Sequence, residues 1–104
     1  MVLWTLIYNI DECKREEYLQ FSRDEAVPHW TSLPGFVEMR AYRESGSTKV
    51  LVELEFESFE AWGKAMDLPN TKLIREKFAK YTYDYEWTVW DASPVYPKPI
   101  KPKK

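Results

Sequence analysis

Only one cysteine, one histidine and three glycines occur in the 104 residues, and each scarcity removes a class of function. A lone Cys13 forms no intrachain disulfide and no multi-cysteine metal site, and it points to a reducing compartment. A lone His29 excludes a two-histidine metal centre. Three glycines are too few for the loops that let backbone N–H groups cradle phosphate, so a P-loop or Rossmann fingerprint is absent. No Ser–His–Asp order and no metal-spaced carboxylate set stands out. No apolar run approaches the roughly 20 residues of a membrane span. The opening stretch Met1 to Ile10 is short, lacks a basic leader and runs straight into charge, unlike a signal peptide. The expectation is a cytoplasmic protein without membrane contact, resident cofactor or metal.

Charge is scarce in net terms and uneven in placement. The formal net charge is −2, yet Lys98, Lys101, Lys103 and Lys104 fall in a terminal stretch without acids. Setting those four lysines aside leaves −6 on residues 1–93, an acidic body without the basic face that neutralises nucleic-acid phosphates. Pro94, Pro97, Pro99 and Pro102 fix φ and remove backbone donors, which predicts an extended, hydrated tail over 94–104. One domain over residues 1–93 remains. Aromatics are plentiful at 16% with five tryptophans, so core and interface are aromatic-rich, and a chain this small leaves apolar surface for a partner.

Hydrophobic periodicity gives the element order. Val2 to Ile10 is apolar on both alternating faces and reads as a strand covered on both sides. Asp11 offers an N-cap, and Glu12, Glu16 and Glu17 crowd the positive end of a helix whose stripe is Tyr18, Leu19 and Phe21. Pro28 disfavours helix at Val27, which predicts an end near Ala26 and leaves His29 in a loop. Pro34-Gly35 turns into a strand Phe36 to Arg43, and Ser45-Gly46-Ser47 connects it to a strand Lys49 to Glu57 as a hairpin. Ser58 caps a helix bearing Phe59, Trp62 and Met66, Leu68-Pro69 breaks it, and Asn70 restarts it toward Leu73, Ile74, Phe78 and Tyr81. The last strand, Tyr83 to Trp90, sets Tyr83, Tyr85, Trp87 and Val89 on one face. The result is α+β, a ferredoxin-like βαββαβ with two helices on one face of an antiparallel sheet.

At Leu33-Pro34-Gly35-Phe36 and at Leu54-Glu55-Phe56-Glu57-Ser58-Phe59-Glu60-Ala61-Trp62 the chain resembles the dimeric α/β-barrel superfamily, in particular its antibiotic-biosynthesis-monooxygenase-like members. The resemblance implies two sheets paired across a two-fold into a barrel, with a pocket between sheet and helices in each subunit. It fits fold better than function, because the superfamily spans monooxygenases, haem-degrading enzymes, isomerases and cyclases. The haem-degrading branch uses a strand-one Asn, a Trp near the end of strand three and a His on the second helix. Here Phe56 stands in place of that Trp, and no His lies between Phe59 and Tyr81, so haem is not expected.

Two functions compete on these residues. In the first, a cofactor-independent monooxygenase-like enzyme binds an aromatic or polyketide-like molecule: Phe56, Trp62 and Met66 line the pocket, Tyr8 and Asn9 hydrogen-bond substrate oxygens, and His29 is the acid or base near neutral pH. An enolised phenol can itself reduce oxygen while the pocket stabilises the developing anion. In the second, a non-catalytic homodimeric module binds a small apolar ligand or a protein. The aromatics are then core and interface, and His29 is incidental.

Overall fold

The computed structural model describes residues 1–103. Four strands, β1 (Val2–Ile10), β2 (Phe36–Arg43), β3 (Lys49–Phe56) and β4 (Thr82–Asp91), form one sheet in the order β2-β3-β1-β4 with every neighbouring pair antiparallel. Helical segments cover one face: α1 (Arg15–Phe21) and α2 (Val27–Thr31) between β1 and β2, then α3 (Phe59–Met66) and α4 (Pro69–Ala79) between β3 and β4. This is the expected ferredoxin-like order.

Period-two alternation places the core. Val2, Trp4, Leu6, Tyr8 and Ile10 of β1 and Val50, Val52, Leu54 and Phe56 of β3 are buried beneath the helices, whereas Leu3, Thr5, Ile7 and Asn9 are only partly covered. The expectation of a strand covered on both sides is thus met on one side within a single chain. Trp4, 1% exposed, is the centre, edge-on to Trp30 at 5.3 Å and Trp62 at 6.1 Å between ring centroids. Such edge-to-face contacts suit the ring quadrupole and add to the burial of large apolar area.

Two irregularities depart from the sequence reading, and both matter for the site. The first helix does not stop at Ala26. A π turn over Ser22–Ala26 joins α1 to α2, and the Val27 N–H reaches back five residues to the Ser22 carbonyl. Pro28 brings no N–H and would press on the carbonyl four residues before it, and the wider turn takes up both demands so that the helix continues. His29 therefore sits in a helix rather than a loop. In β4 the register against β1 shifts between Ile7 and Asn9, and Asp84 adopts φ 54. This bulge reverses the alternation: Tyr85 faces the helices, while Tyr83 pairs with Asn9 on the open face.

Segment connections follow their residue chemistry. Asp11 accepts from Cys13 N–H at 3.0 Å, and Ser58 accepts from Ala61 N–H at 3.1 Å, each satisfying an orphan donor at a helical start. Pro69 opens α4 at its first turn, where a missing N–H costs nothing. Gly35 turns the chain into β2 with φ 80 and accepts from Glu57 N–H at 2.8 Å, tying the turn to the end of β3.

Candidate functional site

Between α4 and β4 lies an open cleft of ≈530 Å3, lined by Lys72, Arg75, Phe78, Tyr83, Asp84 and Tyr85 among others. That volume lies in the range of small-molecule sites. Behind it is a more enclosed cavity of ≈30 Å3 between sheet and first helix, walled by Trp4, Leu6, Tyr8, Tyr18, Trp30 and Met39 and sharing Arg75, Phe78 and Tyr85 with the cleft. The inner space takes a water but not an aromatic ring. Arg75, Phe78 and Tyr85 thus form the partition between the two. Arg75 and Phe78 come to it from successive turns of α4, and Tyr85 is turned inward by the Asp84 bulge.

The inner wall is a phenol cluster. The Tyr8 and Tyr18 hydroxyls lie 2.6 Å apart, Phe78 stands edge-on to Tyr8 at 4.6 Å, and Tyr85 is 5.3 Å from Phe78. Burial, reinforced by Tyr18, pushes the Tyr8 hydroxyl far above its ordinary pKa; burial also raises Tyr18 and Tyr85, with Arg75 pulling Tyr85 partly back. All three remain protonated at neutral pH, so they are hydrogen-bond donors rather than bases. One proton of the Tyr8–Tyr18 pair is held between the two oxygens, which leaves the second for another acceptor. The Trp4 indole N–H, buried in the same wall, has no hydrogen-bond partner.

Whereas Lys72 is exposed, Arg75 is the partly buried charge of the site. It is half-buried, and among the described residues no carboxylate lies within ion-pair distance of it. An unpaired, partly desolvated guanidinium facing aromatic walls is suited to an oxyanion, a phenolate or a carboxylate. Glu76 and Asp84 stand on the same cleft but are exposed.

The residues expected from sequence are distributed rather than gathered. Tyr8 lies in the inner wall. Asn9 is on the opposite face of β1, where its side-chain oxygen accepts from the Thr48 hydroxyl at 3.0 Å, with Tyr83 3.4 Å from that hydroxyl. His29 lines neither cavity. Its Nε2 is 2.7 Å from the Thr71 hydroxyl and its Nδ1 is 2.9 Å from the Asn70 amide nitrogen, so both ring nitrogens are engaged in clamping α2 to α4. Phe56 is fully buried 6.0 Å from Phe36; Trp62 and Met66 pack against the core, and none of the three lines the cleft. Arg75 and Tyr18 were not singled out for chemistry from sequence. The three-residue spacing of Arg75 and Phe78 on one helical face was the available signal. No group of three or more His, Cys, Asp or Glu side chains among the described residues is arranged to hold a metal.

The His29 clamp gives a pH prediction. Burial lowers its pKa from the ordinary 6.5, so the unfolded chain binds the proton more readily than the folded one. Stability is then fully present above pH 6.5 and falls as the pH drops through that value toward the folded-state pKa. Urea midpoints of the wild-type protein are expected to decline from pH 7 to pH 5 more steeply than those of a His29→Asn variant; parallel declines would remove His29 as the cause.

No family model matches the chain, and no curated protein matches it. Solved structures do. A variant of SnoaB, a cofactor-independent oxygenase from Streptomyces nogalater, is 16% identical, with a TM-score of 0.78 over 93% of this chain and 97% of that one. A candidate antibiotic biosynthesis monooxygenase from Deinococcus radiodurans is 13% identical, with a TM-score of 0.79 over the whole of both chains. An uncharacterised NIPSNAP domain protein from Burkholderia xenovorans is 14% identical, with a TM-score of 0.66 over 94% of this chain and all of that one. The chain has the ferredoxin-like α+β fold of antibiotic-biosynthesis-monooxygenase-like proteins, as the Leu33–Phe36 and Leu54–Trp62 segments implied. At these identities the likeness is one of fold. No helix among the described residues is long and apolar enough to cross a membrane.

Proposed function

We propose that the protein is a cofactor-independent oxygenase acting on a phenolic aromatic molecule held in the α4–β4 cleft, and that it works as a homodimer. The observation that carries this reading is the unpaired Arg75 on the partition between an aromatic cleft and a buried phenol cluster. A guanidinium there favours the ionised form of a bound phenol, so the substrate reaches its electron-rich state without a protein base. The Tyr8–Tyr18 pair and the Trp4 N–H then offer donors to oxygen atoms on which charge develops. This reading gives His29 no proton transfer and Asn9 no place in the cleft. Entry of a ring past Arg75 and Tyr85 requires those side chains to move, since the inner cavity is water-sized. The homodimer is supported by the open sheet face, where Ile7 and Leu51 are only partly covered and Tyr42 and Trp90 are exposed; an isologous pairing would cover them.

The test is oxygen uptake with an anthrone, whose conversion to the anthraquinone places one oxygen atom on the ring carbon and releases the other as water. Protein-dependent uptake in the presence of a chelator and without added flavin is the expected result. The alternative, a non-catalytic module, is favoured by one observation: no imidazole lines the cleft, and its two carboxylates, Glu76 and Asp84, are exposed to solvent. Saturable binding of the anthrone with uptake no faster than in buffer would establish that alternative.

A further inference from the structure

The open face of the sheet carries an acidic row, and the chain's own tail passes over it. Glu55 of β3 pairs with Glu38 of β2, and Glu53 with Arg40, which sets three carboxylates on neighbouring strands of one face. Arg40 neutralises only part of this row, lying 3.5 Å from Glu38. After β4 the Ser93 hydroxyl accepts from the N–H groups of Val95 and Tyr96 at 3.2 and 3.1 Å, a turn that sends the tail back across the sheet. Pro99 then lies in a groove with Leu3, Glu38, Arg40, Glu53 and Glu55.

We propose that this groove is a docking site for a Lys-Pro segment, and that its occupant is the chain's own residues 97–103. The chain bends at Lys98, and Lys98 and Lys101 flank Pro99, the residue that lies in the groove. The lysines on either side of Pro99 thus bring positive charge to the part of the sheet that carries Glu38, Glu53 and Glu55, while the Pro99 ring rests beside Leu3. The proline-rich segment loses little entropy on docking because its backbone is already restricted. Among the described residues Lys98 and Lys101 close no ion pair with these glutamates, so the attraction is a field over the groove and salt screens it. The groove that holds Pro99 runs from Leu3 of β1 over β3 to β2 and does not include Ile7, Leu51 or Tyr42.

The test is nuclear magnetic resonance of the full-length, 15N-labelled protein. In the wild type at low salt, the amides of Ile100 and Lys101 are expected to show heteronuclear NOE values near those of the sheet. A Lys98→Gln/Lys101→Gln/Lys103→Gln variant is expected to lose that order and to shift the amides of Leu3, Arg40 and Glu53; half-molar sodium chloride should reproduce the loss in the wild type. Glu53→Gln/Glu55→Gln, made on the other side of the contact, should release the tail equally. A wild-type tail with the NOE of a free chain, or sheet amides that ignore the lysine replacements, would overturn the proposal. Neither readout depends on oxygen uptake, so the tail and the proposed activity stand or fall separately.

Discussion

Replacing Gly35 with alanine is expected to destabilise the protein by about 2–5 kcal/mol, the sum of roughly 1–2 for an L-residue in left-handed backbone and about 1–3 for overpacking. Gly35 has φ 80, and a Cβ built there would meet the Ala61 Cβ at 2.6 Å. Ala61 lies in the first turn of α3, where Ser58 fixes its N–H, so it has little room to retreat. Gly46 is the internal control: it has φ 74, but an added Cβ meets nothing within 4 Å. Gly46→Ala should therefore cost only the backbone part, about 1–2 kcal/mol. Urea denaturation of both variants separates the two contributions. Ala61→Gly combined with Gly35→Ala should recover the steric part even though glycine weakens the helix by about 1 kcal/mol. Equal losses at Gly35 and Gly46 would show that the turn does not abut α3.

The same glycine explains why the architecture was legible in the sequence. Leu33-Pro34-Gly35-Phe36 must leave a helix, pass close beneath α3 and enter β2, and only a residue without Cβ fits all three steps. Strand alternation in β1 and β3, the Asp11 and Ser58 caps and the Leu68-Pro69 break are local signals with local outcomes. The misplaced features required knowledge beyond local propensity. Pro28 announces a helix end, and the π turn that carries the helix past it depends on packing of Trp30 and Ala26 against the sheet. Period two predicts that Tyr83 and Tyr85 share a face, and the bulge at Asp84 overrides it.

Those two irregularities decide which side chains form the site. With the helix ended at Ala26, His29 reads as a free loop imidazole; with the helix continued, it docks on Thr71, which is itself fully buried. With β4 unbulged, both tyrosines would face the helices; the bulge keeps Tyr85 at the partition and sends Tyr83 toward Asn9. Tyr8 was readable because it lies on the buried face of an unbroken strand. Arg75 was not, since an arginine on an amphipathic helix is usually a solvated side chain, and its lack of a carboxylate partner among the described residues is visible only in three dimensions.

Arg75→Gln is expected to lower the rate of anthrone oxidation by about 100-fold, the scale on which removal of one preorganised donor to a developing oxyanion acts. Glutamine is shorter, keeps one amide donor group and removes the positive charge, and the half-exposed position makes the substitution mild for folding. The charge argument also fixes a pH signature. In the wild type the guanidinium lowers the pKa of the bound phenol, so the rate should rise with pH and level off below the pKa of the free phenol; in Arg75→Gln the rise should move to higher pH, toward that free value. Part of the lost rate would then return in alkaline buffer. A residue that merely shaped the cleft would reduce the rate without moving the profile. His29→Asn should leave the profile in place and change the rate less than about threefold, because its ring nitrogens face Asn70 and Thr71 rather than the cleft. A profile moved by His29 and unmoved by Arg75 would return the acid–base role to the imidazole and remove the guanidinium from the chemistry.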